Sequence, residues 1–150
     1  MKKLTCHCGG VEIEISLPDG LKNLTRCNCS FCKRRSATMV AKIGLNDLKV
    51  IKGKELLKLY QFRSKTAKHY FCSVCGIYTH HNPRTAPNMY AVNAACLEGV
   101  NPYDFKDVSI FDGVNHPLDK KKWVFTKNEK NFNFIYILFT HKQSLFSRVT

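Results

Sequence analysis

The sequence predicts a mainly β fold. Three features carry that expectation: short runs in which apolar and polar residues alternate, turn residues between nearly all of them, and the lack of any long stretch with helical periodicity. The first run is the clearest. Val11, Ile13, Ile15 and Leu17 alternate with Glu12, Glu14 and Ser16, as in a strand with one buried face. Pro18-Asp19-Gly20 ends it in a turn. Residues 25–36 form a cysteine-bearing knuckle with one short helical turn. Strands are expected at 38–43 and 48–52, separated by Gly44-Leu45-Asn46-Asp47, and again at 57–62 and 69–72. Gly76 follows Cys75 where a tight turn needs a permissive backbone. Residues 77–80 and 89–94 are strand-like, and Phe111-Asp112-Gly113 marks a further turn. No boundary is expected before about residue 118, so residues 1–118 read as one domain and 119–150 as a C-terminal extension.

A chain of 150 residues is long enough to bury a core. The opening residues run from two lysines straight into a cysteine motif with no apolar stretch, which predicts a cytoplasmic protein. The longest strongly apolar run, Phe132 to Phe139, is far too short to span a bilayer, so no membrane partner is expected. Fully exposed, that run would be an aggregation hazard, and it is expected to pack on its own domain or to form a homo-oligomer. The formal charge of +13 favours anionic partners: nucleic acid, acidic lipid or a small carboxylate.

The eight cysteines are the most informative residues. Seven fall in three tight groups: Cys6-His7-Cys8, Cys27-Asn28-Cys29-Ser30-Phe31-Cys32 and Cys72-Ser73-Val74-Cys75. Neighbours this close make poor disulfides and good chelators, and reduced thiols are the rule in the cytosol. Zinc takes tetrahedral thiolate ligands, and a closed structural site commonly joins two chelating pairs distant in sequence. Cys6/Cys8 and Cys72/Cys75 are two such pairs. Cys27, Cys29 and Cys32 then remain as a three-ligand set, the pattern of a catalytic zinc with an open position. Two zinc ions per chain are therefore expected. Closure of the central set by Cys96 or a histidine is one alternative, and a single ion is another.

The segments Cys6-His7-Cys8-Gly9-Gly10-Val11, Cys27 to Arg35, Thr66 to Ile77 and Val92 to Gly99 together resemble the family of glutathione-dependent formaldehyde-activating enzymes, which includes centromere-protein-V-like proteins. The resemblance runs from about Leu4 to His116. It implies a β-tent (Mss-like) zinc fold of twisted antiparallel sheets. It also implies a structural zinc at Cys6, Cys8, Cys72 and Cys75, and a catalytic zinc at Cys27, Cys29 and Cys32. The family's reaction joins formaldehyde to the thiol of glutathione, giving S-hydroxymethylglutathione. Lys33, Arg34 and Arg35 follow Cys32 and are candidates to receive the substrate's carboxylates. His69 is a candidate proton shuttle at the pocket, with His80 and His81 as weaker ones. Two positions depart from the family pattern: Ser36 stands where family members usually carry Gly, and Ser64-Lys65-Thr66 where they often carry Thr-Gly-Thr.

Two other functions compete with this reading. A carbon–sulfur lyase could act on a different thiol adduct. A non-enzymatic zinc module could bind nucleic acid through its basic charge, although the chain has no aromatic–basic repeat and no recognition helix.

Overall fold

The alternating segment at Val11 folds as expected, and its neighbours explain why. In the computed structural model, which describes residues 1–119, Val11, Ile13 and Ile15 are fully buried while Glu14 faces solvent. The chain forms β1 (Lys2–Thr5), β2 (Glu12–Ile15), β3 (Leu24–Cys27), α1 (Cys32–Arg35), β4 (Met39–Gly44), β5 (Leu48–Lys52), β6 (Leu57–Tyr60), β7 (Lys68–Cys72), β8 (Tyr78–Asn82), β9 (Met89–Asn93) and β10 (Ser109–Phe111), joined by short 3-10 turns. The fold is therefore mainly β, with α1 the single short α-helix among the described residues. Asp119 excepted, the expected extension with its run from Phe132 to Phe139 lies outside the described residues.

Two sheets result. The smaller has the order β1-β2-β5 and the larger β10-β3-β4-β9-β8-β7-β6. All neighbours pair antiparallel except β10 with β3, which run parallel. Leu4, Ile13 and Ile15 of the small sheet pack with Val40, Ile43 and Val92 of the large one, and Ala94 and Leu97 complete the core. That apolar contact is the main force holding the sheets together. On the outer face, Glu12 meets Lys3 at 3.3 Å and Lys52 at 3.6 Å. These pairs are too exposed to contribute much.

The expected strands are found within two residues of their predicted ends. Strands β1, β3 and β10 were not legible as such. Only Leu4 is buried in β1, and no residue of β10 is. These segments are strands because a neighbour supplies hydrogen bonds, and no alternation records that.

Left-handed backbone appears at both positions where the resembled family carries glycine. Ser36 has φ +50° and Lys65 φ +54°. Ser36 terminates α1: its N–H donates to the Cys32 carbonyl at 3.1 Å and its hydroxyl to the Lys33 carbonyl at 3.3 Å. Lys65 closes a turn, with its N–H on the Phe62 carbonyl at 3.1 Å and its own carbonyl accepting from Gln61. The turns thus keep a conformation that favours glycine and tolerate a side chain at some cost. The double variant Ser36→Gly/Lys65→Gly should match the natural chain in a denaturant titration or exceed it by up to about 1 kcal/mol, as relief of strain offsets added chain entropy. A clear loss of stability would show that side-chain contacts, not backbone conformation, set these turns.

Candidate metal centre and active site

Hairpin geometry builds the first sulfur cluster. Cys6 directly follows β1 and Cys72 ends β7, and the chain turns back in the same way after both. The Cys6 N–H donates to the Val11 carbonyl at 3.1 Å, and the Cys72 N–H to the Ile77 carbonyl at 2.9 Å. Gly9 and Gly76 close the two turns at φ +68° and +71°, donating back to the carbonyls of Cys6 and Cys72. A side chain would strain either position. These knuckles bring the sulfurs of Cys6, Cys8, Cys72 and Cys75 within 4.8 Å of one another. Cys6 lies 3.5 Å from Cys8, and Cys8 lies 3.8 Å from Cys72. Four thiolates around one tetrahedral zinc stand about 3.8 Å apart, so the spacing fits. The Val11 N–H donates to Cys6 Sγ at 3.2 Å and helps to aim it.

The second cluster is local. Cys27 ends β3, Cys32 begins α1, and Cys29 lies on the turn between them. Their sulfurs also lie within 4.8 Å of one another, and no fourth cysteine, histidine or carboxylate joins them among the described residues. The Cys29 N–H points to Cys27 Sγ at 3.5 Å and the Cys32 N–H to Cys29 Sγ at 3.4 Å. Cys96 is not part of either group: it is buried, and its Sγ reaches the Tyr78 carbonyl at 3.6 Å. Crowding splits the acidities. A hydrogen bond from Cys32 holds the Cys27 thiol down to about 6, and the same contact with burial drives Cys32 far up. Cys27 ionises readily and Cys32 resists, so a cation is needed for both to serve as thiolates. Both donor sets are thus suited to a thiophilic ion such as zinc.

A loop braces the central cluster. Asn28 Oδ1 accepts from the N–H groups of Gly113 at 2.7 Å and Val114 at 3.0 Å, and Asn28 Nδ2 donates to Asp112 at 3.2 Å. A Cβ at Gly113 would stand 2.5 Å from Cys27 Sγ and 2.7 Å from Cys29 Cβ. Only glycine fits there without moving a cysteine.

The three cysteines open onto a cavity of ≈ 950 Å³. Of the cations expected at the site, Lys33 and Arg35 line it; Arg34 turns away onto the Ser30 carbonyl. Arg35 lies between two rings, its Cζ 4.1 Å from the centroid of Phe31 and 3.9 Å from that of Tyr78. His69 also lines the cavity, and its Nδ1 is 2.9 Å from the Tyr78 hydroxyl. Burial, with Arg35 nearby, lowers His69 to about 4, so it is neutral at physiological pH. Phe62, His69 and Tyr78 give the cavity an aromatic lining, and Phe31, outside that lining, packs on His69 at 4.6 Å and on Tyr60 at 4.9 Å.

Tyr78, Asn28 and Gly113 did not stand out as site residues in the sequence, and His81 was only a weak candidate there. His81 reaches the site because it pairs with His69 across β7 and β8, where the rings stack at 5.3 Å. The register is irregular between Tyr70 and Phe71, so both Tyr78 and His81 meet His69 despite their odd spacing. Strand register carries that information, and it is set only once the hairpin forms.

The family model described as "Glutathione-dependent formaldehyde-activating enzyme" matches residues 1–111. Among solved structures, a crystal structure of a Rhodobacter sphaeroides protein is 54% identical, covering 73% of this chain and 99% of that chain, with a TM-score of 0.69. The family match extends over both sulfur clusters and the strands that position them. The chain belongs to the family of glutathione-dependent formaldehyde-activating enzymes.

Proposed function

We propose that the chain is a zinc-dependent enzyme of the carbon–sulfur lyase type, which joins an aldehyde such as formaldehyde to a small thiol such as glutathione, or releases it. The observation that carries this reading is the contrast between the clusters. Four cysteines close the outer one, whereas three cysteines open the central one onto a cavity. In this reading Cys6, Cys8, Cys72 and Cys75 hold a structural zinc. Cys27, Cys29 and Cys32 hold a catalytic one. When bound there, zinc supplies a site at which a thiol loses its proton at neutral pH.

The remaining work falls to the cavity. The substrate sulfur forms a bond to the carbonyl carbon, the C=O π pair moves to oxygen, and the proton lost from sulfur is balanced by one gained at oxygen. No oxidant or reductant is involved. The rings of Phe62, His69 and Tyr78, which line the cavity, keep water from that side of the reacting groups. His69 and Tyr78 form a hydrogen-bonded, uncharged pair that can hold a proton at the Tyr78 hydroxyl. Lys33 and Arg35 favour a substrate with carboxylates. Thiol chemistry of this kind fits a reducing, cytoplasmic setting. Residues 1–118 are proposed as the working domain.

Two measurements test the proposal. Metal analysis should find two zinc ions per chain. Cys29→Ser should retain one ion and a folded domain, because its cluster is local; Cys72→Ser should unfold, because its cluster ties distant segments together. Equal unfolding of both variants would remove the division into structural and catalytic sites. Separately, the zinc-loaded chain should speed formation of the formaldehyde–glutathione adduct above the spontaneous rate, and Cys29→Ser should return it to that rate. Acceleration that survives Cys29→Ser would place the chemistry elsewhere.

A further inference from the structure

The loop after β10 carries a histidine into the cavity that the central cysteines open onto. Gly113 packs against Cys27 and Cys29, and His116 lines the cavity three residues later. Family membership, matched over residues 1–111, gives His116 no role. We infer that His116 is a catalytic residue of the proposed addition, whose Nε2–H donates a hydrogen bond to the aldehyde oxygen as negative charge builds there. The inference rests on the reading that the central site joins a thiol to an aldehyde.

The tautomer follows from the main chain. The Leu118 N–H donates to His116 Nδ1 at 3.1 Å, so Nδ1 keeps its lone pair and Nε2 carries the proton. Nε2 has no hydrogen-bond partner among the described residues. The ring is half-buried, so a molecule in the cavity can reach it. The loop is fixed on both sides of the ring. Asn28, between Cys27 and Cys29, accepts from the N–H groups of Gly113 and Val114, and Asp112 accepts from that of Asn115 at 3.1 Å. Past the ring, the Asp119 N–H donates to the His116 carbonyl at 2.8 Å, and the Asp119 carboxylate pairs with Arg84 at 2.7 Å. The Phe111 and His116 rings meet edge to face at 5.6 Å. A donor held in this way needs no reorganisation when charge develops opposite it.

Polar groups on the facing wall are engaged with each other. The Tyr78 hydroxyl and His69 Nδ1 are 2.9 Å apart, and Arg35 is held between the rings of Phe31 and Tyr78. His116 is near enough to Cys27 that a charge on it would lower that thiol, after the larger effect of the Cys32 hydrogen bond. In the step, a lone pair of the substrate sulfur forms the C–S bond and the C=O π pair moves to oxygen. That oxygen accepts from Nε2–H, which keeps its proton. The oxygen then takes a proton from water, and the proton released earlier by the thiol restores that water. The ring ends as it began, neutral and in the same tautomer.

The test uses the full zinc-loaded chain and two variants. His116→Phe keeps a ring against Phe111 and removes the donor. His116→Gln offers an acceptor to the Leu118 N–H and a donor to the cavity. His116→Phe should slow formation of the formaldehyde–glutathione adduct about tenfold to a hundredfold. Its zinc content and its calorimetric affinity for glutathione should match those of the natural chain, and His116→Gln should recover most of the rate. Long-range proton–nitrogen NMR correlations in mildly alkaline buffer should show His116 of the natural chain as the Nε2–H tautomer. The Nδ1–H tautomer overturns the inference, as does a His116→Gln variant as slow as His116→Phe. Loss of zinc or of glutathione affinity in His116→Phe also overturns it, because the ring would then be a structural support. If the natural chain gives no acceleration, the addition reading fails and the role of His116 falls with it; acceleration that is equal in His116→Phe sinks the inference alone.

Discussion

Sulfur crowding is the constraint around which the fold is organised. Thiol groups within 4.8 Å of one another cannot all ionise unless a cation lies among them. The outer cluster draws on two knuckles far apart in sequence, one after β1 and one after β7, and so links the small sheet to the large one. The apolar core between the sheets acts over the same interface. Core and sulfur cluster are therefore coupled, and loss of either removes support from the other. The central cluster draws on a single turn between β3 and α1 and carries little of that burden.

Much of this was legible in the sequence, because it is local. The spacing of Cys6 and Cys8, of Cys72 and Cys75, and of Cys27, Cys29 and Cys32 fixes which sulfurs can chelate together. Alternation at Val11, Ile13 and Ile15 fixes a buried strand face. What was not legible depends on pairing. Strands β1 and β10 carry almost no buried side chains. His81 was no more than a weak candidate until β7 and β8 set it beside His69. The basic run Lys33-Arg34-Arg35 looked uniform, yet one short helical turn sends the three side chains to solvent, to a backbone carbonyl and between two aromatic rings. The departures at Ser36 and Lys65 were visible as residue changes, but only the backbone shows that the turns kept their left-handed form.

The cavity joins these features into one chemical environment. Aromatic rings order Arg35 and His69 and reduce water around them, which strengthens each remaining polar contact. Burial keeps His69 and His81 uncharged at neutral pH. In the proposed reaction this arrangement holds an anionic thiol beside the central sulfurs and leaves room for a small aldehyde.

The claim on which the account turns is that the central three cysteines leave one metal position for the substrate's sulfur. Zinc-edge X-ray absorption on the two-zinc protein, with and without glutathione, addresses it directly. The account predicts seven sulfur ligands shared over the two ions without thiol, from the four-cysteine and three-cysteine sets, and eight with it. An unchanged sulfur count on saturation with glutathione would contradict it.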